Sequence, residues 1–201
     1  MPRRSQEDRS RATRAALEQA GRRLFAERGF AGTSAEQLVA AAGVTRGALH
    51  HHYGDKRGLF VAVLEQLEID NMAEIETAIA GTEDLIAAMA IGLGTFLEIC
   101  QRPEMIRIAL YDAPAVLGWQ AWRELEIRHG LGMIIRQLED ARSAGLIPDI
   151  PVTAFAHLLL AAITEAGHLV AHATDKDATR AQAQQSLMLL VSGLLTSPPS
   201  Q

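Results

Sequence analysis

Apolar residues recur along this chain at the spacing of one helix face. The first such stretch runs from about residue 8 to Arg28, and its apolar positions are Leu17, Ala20, Gly21, Leu24 and Phe25. This is the period of an amphipathic α-helix. No stretch of the sequence shows the alternation of apolar and polar residues that is typical of strands. The pattern therefore predicts an all-α fold.

Glycines, prolines and capping residues divide the rest of the chain into further helices. Thr82 is expected to cap one of them, residues 114–118 are expected to form a connector, and Gly130 and Gly132 are expected to bend another. A disordered tail is expected over 197–201. With two short helices before residue 54, about nine helices are predicted, the later ones over about 55–80, 82–102, 103–113, 119–144, 152–173 and 177–196.

Residues 33–56 have the pattern of two short helices joined by a tight turn. Thr33 is placed to cap the first helix, with Glu36 three residues later to complete a capping box. Gly43 ends this helix, because a residue tolerant of positive φ is favoured there. Thr45 then caps the second helix. The arrangement is a helix-turn-helix, whose second helix fits a DNA major groove.

The second helix of this motif offers a small, polar tip. Val44, Leu49 and Tyr53 are expected to face the core, which leaves the other positions for DNA. Arg46 is the candidate for a guanine edge or a phosphate. The predicted DNA-binding residues are Thr33, Thr45, Arg46, Gly47, Ala48, His50, His51 and Lys56.

The three consecutive histidines 50–52 do not predict a metal site. Neighbouring positions on a helix point about 100° apart, so the three side chains cannot converge on one ion.

Residues 13–60 resemble the DNA-binding domain of the TetR family of bacterial transcription regulators. His50 departs from the family pattern and puts one phosphate contact in question, and Tyr53 keeps an aromatic ring where the family usually has Phe. The matching residues are Phe25, Ala26, Gly29, Phe30, Thr33, Ala42, Gly43, Val44, Gly47, Leu49, Tyr53 and Lys56.

The resemblance implies a division of labour along the chain. Residues 1–54 would form a DNA-binding head, and residues 55–201 a body for ligand binding and dimerisation. In this family the body binds a small molecule, and the last two helices pair with a second copy in a four-helix bundle. The resemblance thus implies a repressor that a small-molecule effector releases from a palindromic operator of double-stranded DNA.

Charge along the chain agrees with a DNA-binding head. The net charge is −5, yet residues 1–60 hold 11 Lys and Arg against 6 Asp and Glu. The basic part would face DNA and the acidic remainder would be kept away from it. Arg3, Arg4 and Arg9 suit either a DNA-contacting arm or a solvated tail.

Two features of composition predict a cytoplasmic protein. Cys100 is the only cysteine, so no disulfide forms within the chain, and it is expected to be a buried thiol. No signal peptide or membrane-spanning stretch is predicted, since His157, Glu165 and His168 interrupt the apolar residues 152–171.

The last two predicted helices, about 152–173 and 177–196, are apolar over more than one stripe. Such helices must be covered on several sides. One side fits the body's own core and another fits a second copy, which predicts a homodimer.

Polar and aromatic residues on the apolar helices of the body are candidates for an effector pocket. The alternatives for the same residues are ordinary core packing and the dimer interface. The predicted pocket residues are Phe96, Tyr111, Trp119, Trp122, Arg123, Thr164, Glu165 and His168.

Two other functions fit the sequence less well. A metal sensor would use the residues His129, His157, Glu165, His168 and His172, which form no tight cluster in the sequence. An enzyme would need a nucleophile elbow, a phosphate loop or a metal-ligand pair, and the sequence shows none of these. We therefore predict no catalytic residues, no metal and no cofactor.

Overall fold

The structure is a computed structural model that describes residues 6–195, with side chains to residue 193. The described residues are helical, with short turns and no strand between the helices. The predicted all-α fold is therefore confirmed. The contacts proposed for Arg3 and Arg4, and the disorder expected over 197–201, lie outside the described residues.

Nine helices are present in the described part of the chain, when a helix with a π-helical segment is counted once. Helix α6 consists of the π-helical Met105–Asp112 and the α-helical Ala113–Leu117. The π-helical Ile127–Leu131 lies inside α7, between Trp119–Glu126 and Gly132–Ser143. The others are α1 (Gln6–Arg28), α2 (Ala35–Ala42), α3 (Arg46–Tyr53), α4 (Lys56–Ile79), α5 (Leu85–Ile99), α8 (Val152–His172) and α9 (Lys176–Leu195).

Two predicted helix boundaries are wrong. The cap of α5 is Asp84, whose carboxylate accepts the N–H of Ala87 at 2.8 Å, and not Thr82. Residues 114–118 are not a connector, because α6 continues through Pro114 to Leu117. Pro114 is the second residue of the α-helical segment Ala113–Leu117, which directly follows the π-helical segment. Gly118, with φ +81, then separates α6 from α7.

The chain forms two compact units. Among the described residues, one comprises 6–68 together with 103–119, and the other comprises 69–102 together with 120–195. The contact boundary thus lies inside α4 rather than between residues 54 and 55. It also assigns α6 to the unit that holds the helix-turn-helix. The division of function at residue 54 remains a prediction.

The core of the first unit is built from one face of α1 and residues of α2, α3 and α4. The predicted face of α1, from Leu17 to Phe25, is buried. Leu38 of α2 and Leu49 of α3 are buried against it. The rings of Phe25, Phe30 and Phe60 contact one another with centroids 5.2–6.0 Å apart. Large apolar side chains of this kind supply most of the free energy of burial.

The second unit has two apolar clusters, and α8 contributes to both. Its first half packs Ala156 and Leu160 with α7, and its second half packs Ala166 and Val170 with α5 and α9. Helix α8 is also, by length and composition, the one helix in residues 6–195 able to span a membrane, with a mean hydropathy of 1.5. The core helix of a soluble protein meets the same criterion.

The one cysteine lies where α5 meets α8. Cys100 is fully buried, as predicted. A Cβ added at Gly167 would come within 2.8 Å of its Sγ and 3.3 Å of the ring of Phe96. The missing side chain of Gly167 therefore allows the two helices to approach closely.

We expect Gly167→Ala to destabilise the protein by about 1–3 kcal/mol, because the added methyl group overpacks a filled core. The urea midpoint of unfolding, followed by circular dichroism, measures the change. Gly132→Ala is the matched control, since its Cβ would meet only Arg136 Nη1, at 3.6 Å. The double variant Gly167→Ala/Cys100→Ala should recover most of the loss, and equal midpoints for Gly167→Ala and the parent would contradict this packing.

Candidate nucleic-acid interface

The start of α2 is capped by a different residue from the one predicted. Ser34 Oγ accepts the N–H of Gln37 at 3.2 Å, and Gln37 Oε1 accepts the N–H of Ser34 at 2.8 Å. This is a capping box, one residue later than expected. The capping roles predicted for Thr33 and Glu36 are therefore wrong. The predicted end of the helix is confirmed, since Gly43 is left-handed with φ 65.

Thr33 instead closes the end of α1. It is 1% exposed, and its hydroxyl contacts the carbonyl oxygens of Gly29 and Leu24 at 2.8 and 3.2 Å. A buried hydroxyl needs such a partner. The side chain of Thr33 is thus not part of the exposed surface of the motif, which leaves its predicted DNA contact without a surface atom to make it.

Helix α3 is capped at its start and anchored to the rest of the unit through its inner face. Its predicted cap is confirmed, because Thr45 Oγ1 accepts the N–H of Ala48 at 3.2 Å. Leu49 is buried, and the Tyr53 hydroxyl donates to Glu18 Oε1 at 2.7 Å. Burial, together with the Glu18 carboxylate, raises the pKa of Tyr53 to about 12. The anchored inner face leaves the opposite face of α3 to solvent.

The outer face of α3 carries the predicted DNA-binding residues Thr45, Arg46, Gly47, His50 and His51, which are all exposed, and the half-exposed Ala48. A Cβ on Gly47 would meet only Thr45 Oγ1, at 3.7 Å. Internal packing therefore does not require glycine at this position. Because Gly47 has no side chain, the backbone at the start of α3 can approach the bases closely.

His50 and Lys56 already hold partners within the unit. His50 Nδ1 donates to the carbonyl oxygen of Gly54 at 2.6 Å, so Nε2 is the ring nitrogen left for another partner. Lys56 Nζ donates to the carbonyl oxygens of Phe30 and Thr33 at 2.9 and 2.8 Å, and lies 4.0 Å from the centroid of the Phe30 ring. Lys56 thus holds the loop between α1 and α2.

Arg46, the predicted base contact, is the most exposed cation of the motif. Its guanidinium Nη1 lies 3.0 Å from Glu36 Oε1, and the two side chains are 77% and 65% exposed. The pair joins the start of α2 to the start of α3. Exposed pairs of this kind contribute little to stability, so Arg46 remains available to a ligand.

Charged side chains of α6, and Glu104 just before it, bind α1 and the loop between α1 and α2. These contacts were not predicted from the sequence. Arg22 donates through Nε and Nη2 to the Glu104 carboxylate, both at 2.8 Å. Asp112 Oδ2 accepts the N–H of Phe30 at 2.6 Å. Arg107 lies 3.6 Å from Asp112, and its guanidinium occupies the space that a Cβ of Gly29 would need. The partners in the first two contacts are 82 residues apart, so no local pattern signals them.

Four of the eight predicted pocket residues come together between α7 and α8. Trp122 and Thr164 are buried, and the ring centroids of Trp122 and His168 are 6.2 Å apart. Arg123 Nη1 donates to Glu126 Oε2 at 3.1 Å, and the Thr164 hydroxyl donates to Glu126 Oε1 at 3.0 Å. Glu126 joins the cluster and is not among the eight predicted pocket residues.

Two ionisable groups of this cluster, Glu126 and His168, have pKa values shifted by burial. Burial raises the pKa of Glu126, against the lowering effect of its bonds to Arg123 and Thr164. Burial likewise lowers the pKa of His168. Both shifts favour the neutral forms, as expected for groups removed from water. Buried polar groups with shifted pKa values are common at binding sites.

The other four predicted pocket residues are not part of this cluster. Tyr111 and Trp119 belong to the first unit and are 59% and 70% exposed. Phe96 packs beside Cys100 in the α5–α8 contact, and Glu165 is exposed. Among residues 6–195, no three histidine, cysteine or acidic side chains lie together as metal ligands would.

We expect Lys56→Met to loosen the loop between α1 and α2, because two charge-assisted hydrogen bonds to its backbone are lost. Hydrogen exchange of residues 29–45 should become about tenfold faster or more, while exchange of residues 152–172 stays unchanged. The control is Lys176→Met, which changes the only other lysine of the chain. Unchanged exchange in residues 29–45 would show that Lys56 does not hold the loop.

Two families match this chain in succession. Residues 17–63 match the family described as bacterial regulatory proteins, tetR family. Residues 86–194 match the family described as the tetracyclin repressor-like C-terminal domain. The resemblance found in the sequence of the helix-turn-helix is therefore confirmed, and it extends into the second unit.

Two relatives named as transcriptional repressors agree with this family match. The chain is 38% identical over 68 residues to the HTH-type transcriptional repressor AcnR of Corynebacterium glutamicum, a match that covers 34% of this chain and 36% of that protein. It is 34% identical over 116 residues to the HTH-type transcriptional repressor Rv1474c of Mycobacterium tuberculosis, covering 56% and 59%. The chain thus spans about a third to three fifths of these relatives.

A solved structure matches over nearly the full length. It is a TetR-family transcriptional regulator from Pectobacterium atrosepticum, 34% identical, with a TM-score of 0.82. The alignment covers 97% of this chain and 100% of that one. With two matched family regions and a full-length structural relative, this chain belongs to the TetR family of bacterial regulatory proteins.

Proposed function

We propose that this protein is a transcriptional repressor that binds a palindromic DNA operator as a homodimer and is released by a small molecule. The observation that carries the proposal is the outer face of α3. Leu49 and Tyr53 fix the helix from within, and Arg46 and Gly47 stand at its exposed tip. Relatives with a related helix-turn-helix are named as transcriptional repressors, which supports repression rather than activation.

The size of α3 suits the major groove. Its eight residues extend about 12 Å, and the groove of B-DNA is about 12 Å wide. In the proposed complex Arg46 donates to a guanine edge, and Thr45, His50 and His51 contact phosphates or bases. Thr33 and Lys56 act indirectly, because both hold the loop that positions α2.

Exposed leucines support a partner surface on α8 and α9. Leu158 and Leu169 of α8 are 70% and 56% exposed, and Leu189 and Leu190 of α9 are 65% and 61% exposed. Residues 158 and 169 are eleven positions apart, about three helical turns, so they share one face. An apolar face of this kind is typical of an interaction site. A second copy placing the same face against it would form a closed dimer.

The cluster of Trp122, Arg123, Glu126, Thr164 and His168 is the proposed anchor for the effector. It joins aromatic surface to a small number of polar groups, which is the usual make-up of a small-molecule site. A ligand that donates or accepts hydrogen bonds here would compete with the bonds around Glu126. Binding would therefore shift α7, the helix that carries three of the five residues.

Helix α6 offers a route from α7 to the DNA-binding face. It is followed directly by α7 after Gly118, and Asp112 holds the N–H of Phe30 in the loop before α2. A shift passed along the chain to α6 would alter the position of α2 and α3. The effector acts in this way only if it binds the two arrangements with different affinity. No catalytic activity is proposed, and the protein would act in the cytoplasm.

A gel-shift titration against the DNA that flanks its own gene tests the proposal. It should be run at about 0.15 M salt with excess competitor DNA, because affinity for DNA depends steeply on salt. The expected result is a discrete complex that maps to an inverted repeat, with half-site centres about 34–36 Å apart. The proposal would be contradicted if competitor DNA abolished all binding to the flanking DNA and if selection from random duplexes also enriched no sequence.

We expect Arg46→Ala to weaken operator binding by about 10- to 100-fold, the worth of a bidentate contact to a base. Fluorescence anisotropy at matched salt measures the affinity, and sedimentation shows whether the dimer is intact. Arg128→Ala, at an exposed site of the second unit, is the control for loss of one positive charge. If Arg46→Ala binds as tightly as the parent, the docking of α3 proposed here is incorrect.

We expect Leu158→Asp to weaken self-association by at least about a hundredfold, because a charge would be buried in an apolar interface. Sedimentation equilibrium gives the dissociation constant. Leu146→Asp is the matched control, since Leu146 is 43% exposed in the loop before α8. A dimer that forms equally well in Leu158→Asp would place the interface elsewhere.

A further inference from the structure

The start of α2 presents a carboxylate to the predicted base-reading cation of α3. Glu36 is the second residue of α2, and its Oε1 lies 3.0 Å from Nη1 of Arg46. The two residues are ten positions apart and on different helices, so the turn of the motif brings them together. Both side chains are mainly exposed, and they lie beside the outer face of α3.

Local groups hold Glu36 in its charged form. Its own backbone N–H, the Ser34 hydroxyl and then the Arg46 guanidinium lower its pKa. The first turn of a helix also favours a negative charge. The carboxylate is therefore ionised at every pH at which the protein would meet DNA, and its position is set by α2 itself.

The pairing leaves one edge of the guanidinium available. With Nη1 bound to Glu36, Arg46 retains Nε and Nη2, two parallel donors. Guanine presents N7 and O6 as two parallel acceptors in the major groove, so it fits this edge. A phosphate in the same place would bring a second negative charge close to the Glu36 carboxylate, and like charges repel.

From this geometry we infer that Glu36 is a positioning residue for Arg46, which favours contact with a guanine edge over contact with the phosphate backbone. The inference rests on the proposed function, since it concerns how the same surface selects DNA. It adds a selectivity role to an acidic residue in a surface that is otherwise cationic or neutral.

A double-mutant cycle on the full-length protein tests the inference. The parent first selects its operator from a pool of random duplexes. The affinities for that operator and for a scrambled duplex are then measured for the parent, Glu36→Gln, Arg46→Ala and the double variant. Glu36→Gln should lower the ratio of the two affinities by about two- to fivefold, the range expected for an exposed pair, mainly through tighter binding to the scrambled duplex.

In the Arg46→Ala background, Glu36→Gln should leave this ratio unchanged, because Glu36 acts through Arg46. A merely electrostatic or structural role would lower the ratio equally in both backgrounds, and that result would overturn the inference. An unchanged ratio in Glu36→Gln alone would also overturn it. Glu83→Gln, an equal change of charge at an exposed site of the second unit, should leave the ratio at the parent value.

Different results would contradict the proposed function and the inference about Glu36. A parent protein that enriches no sequence from the pool contradicts the proposed function, and the inference with it. A parent that enriches an operator, combined with a Glu36→Gln variant of equal selectivity, contradicts only the inference.

Discussion

The loop between α1 and α2 is held by hydrogen bonds to α4, to α6 and to the end of α1, and the placement of the helix-turn-helix depends on it. Lys56 binds the carbonyl oxygens of Phe30 and Thr33, and Asp112 binds the N–H of Phe30. Thr33 donates back to the end of α1. Buried backbone groups need such partners, so these bonds fix where α2 begins and, through the short turn at Gly43, where α3 points.

In the proposed function, regulation would act through the same loop. Asp112 lies in α6, which the chain continues directly into α7, and α7 carries the polar cluster around Glu126. A change in the bonds of that cluster has a short covalent path to the N–H of Phe30. Repression and its release would then be two arrangements of one hydrogen-bonded loop, which a ligand shifts by its different affinity for each.

The sequence was sufficient to predict features that local chemistry determines. Gly43 ends α2 because the turn needs positive φ, and Thr45 caps α3 because its hydroxyl reaches the next turn. The predicted cap at Thr33 was wrong because Ser34 caps equally well and the Thr33 hydroxyl bonds to α1. Contacts such as Arg22 with Glu104 join residues far apart in the chain, and no spacing in the sequence reveals them. The bond between Thr164 and Glu126 was missed for the same reason, since the two residues lie on different helices.

Dimethyl sulfate footprinting on the selected operator tests the central claim, that α3 lies in the major groove with Arg46 on a guanine. The reagent methylates guanine N7 in the major groove and adenine N3 in the minor groove. The account predicts that the parent protects the N7 of one guanine in each half-site, at positions that Arg46→Ala no longer protects. Protection of adenine N3 alone, or equal guanine protection by Arg46→Ala and the parent, would contradict it.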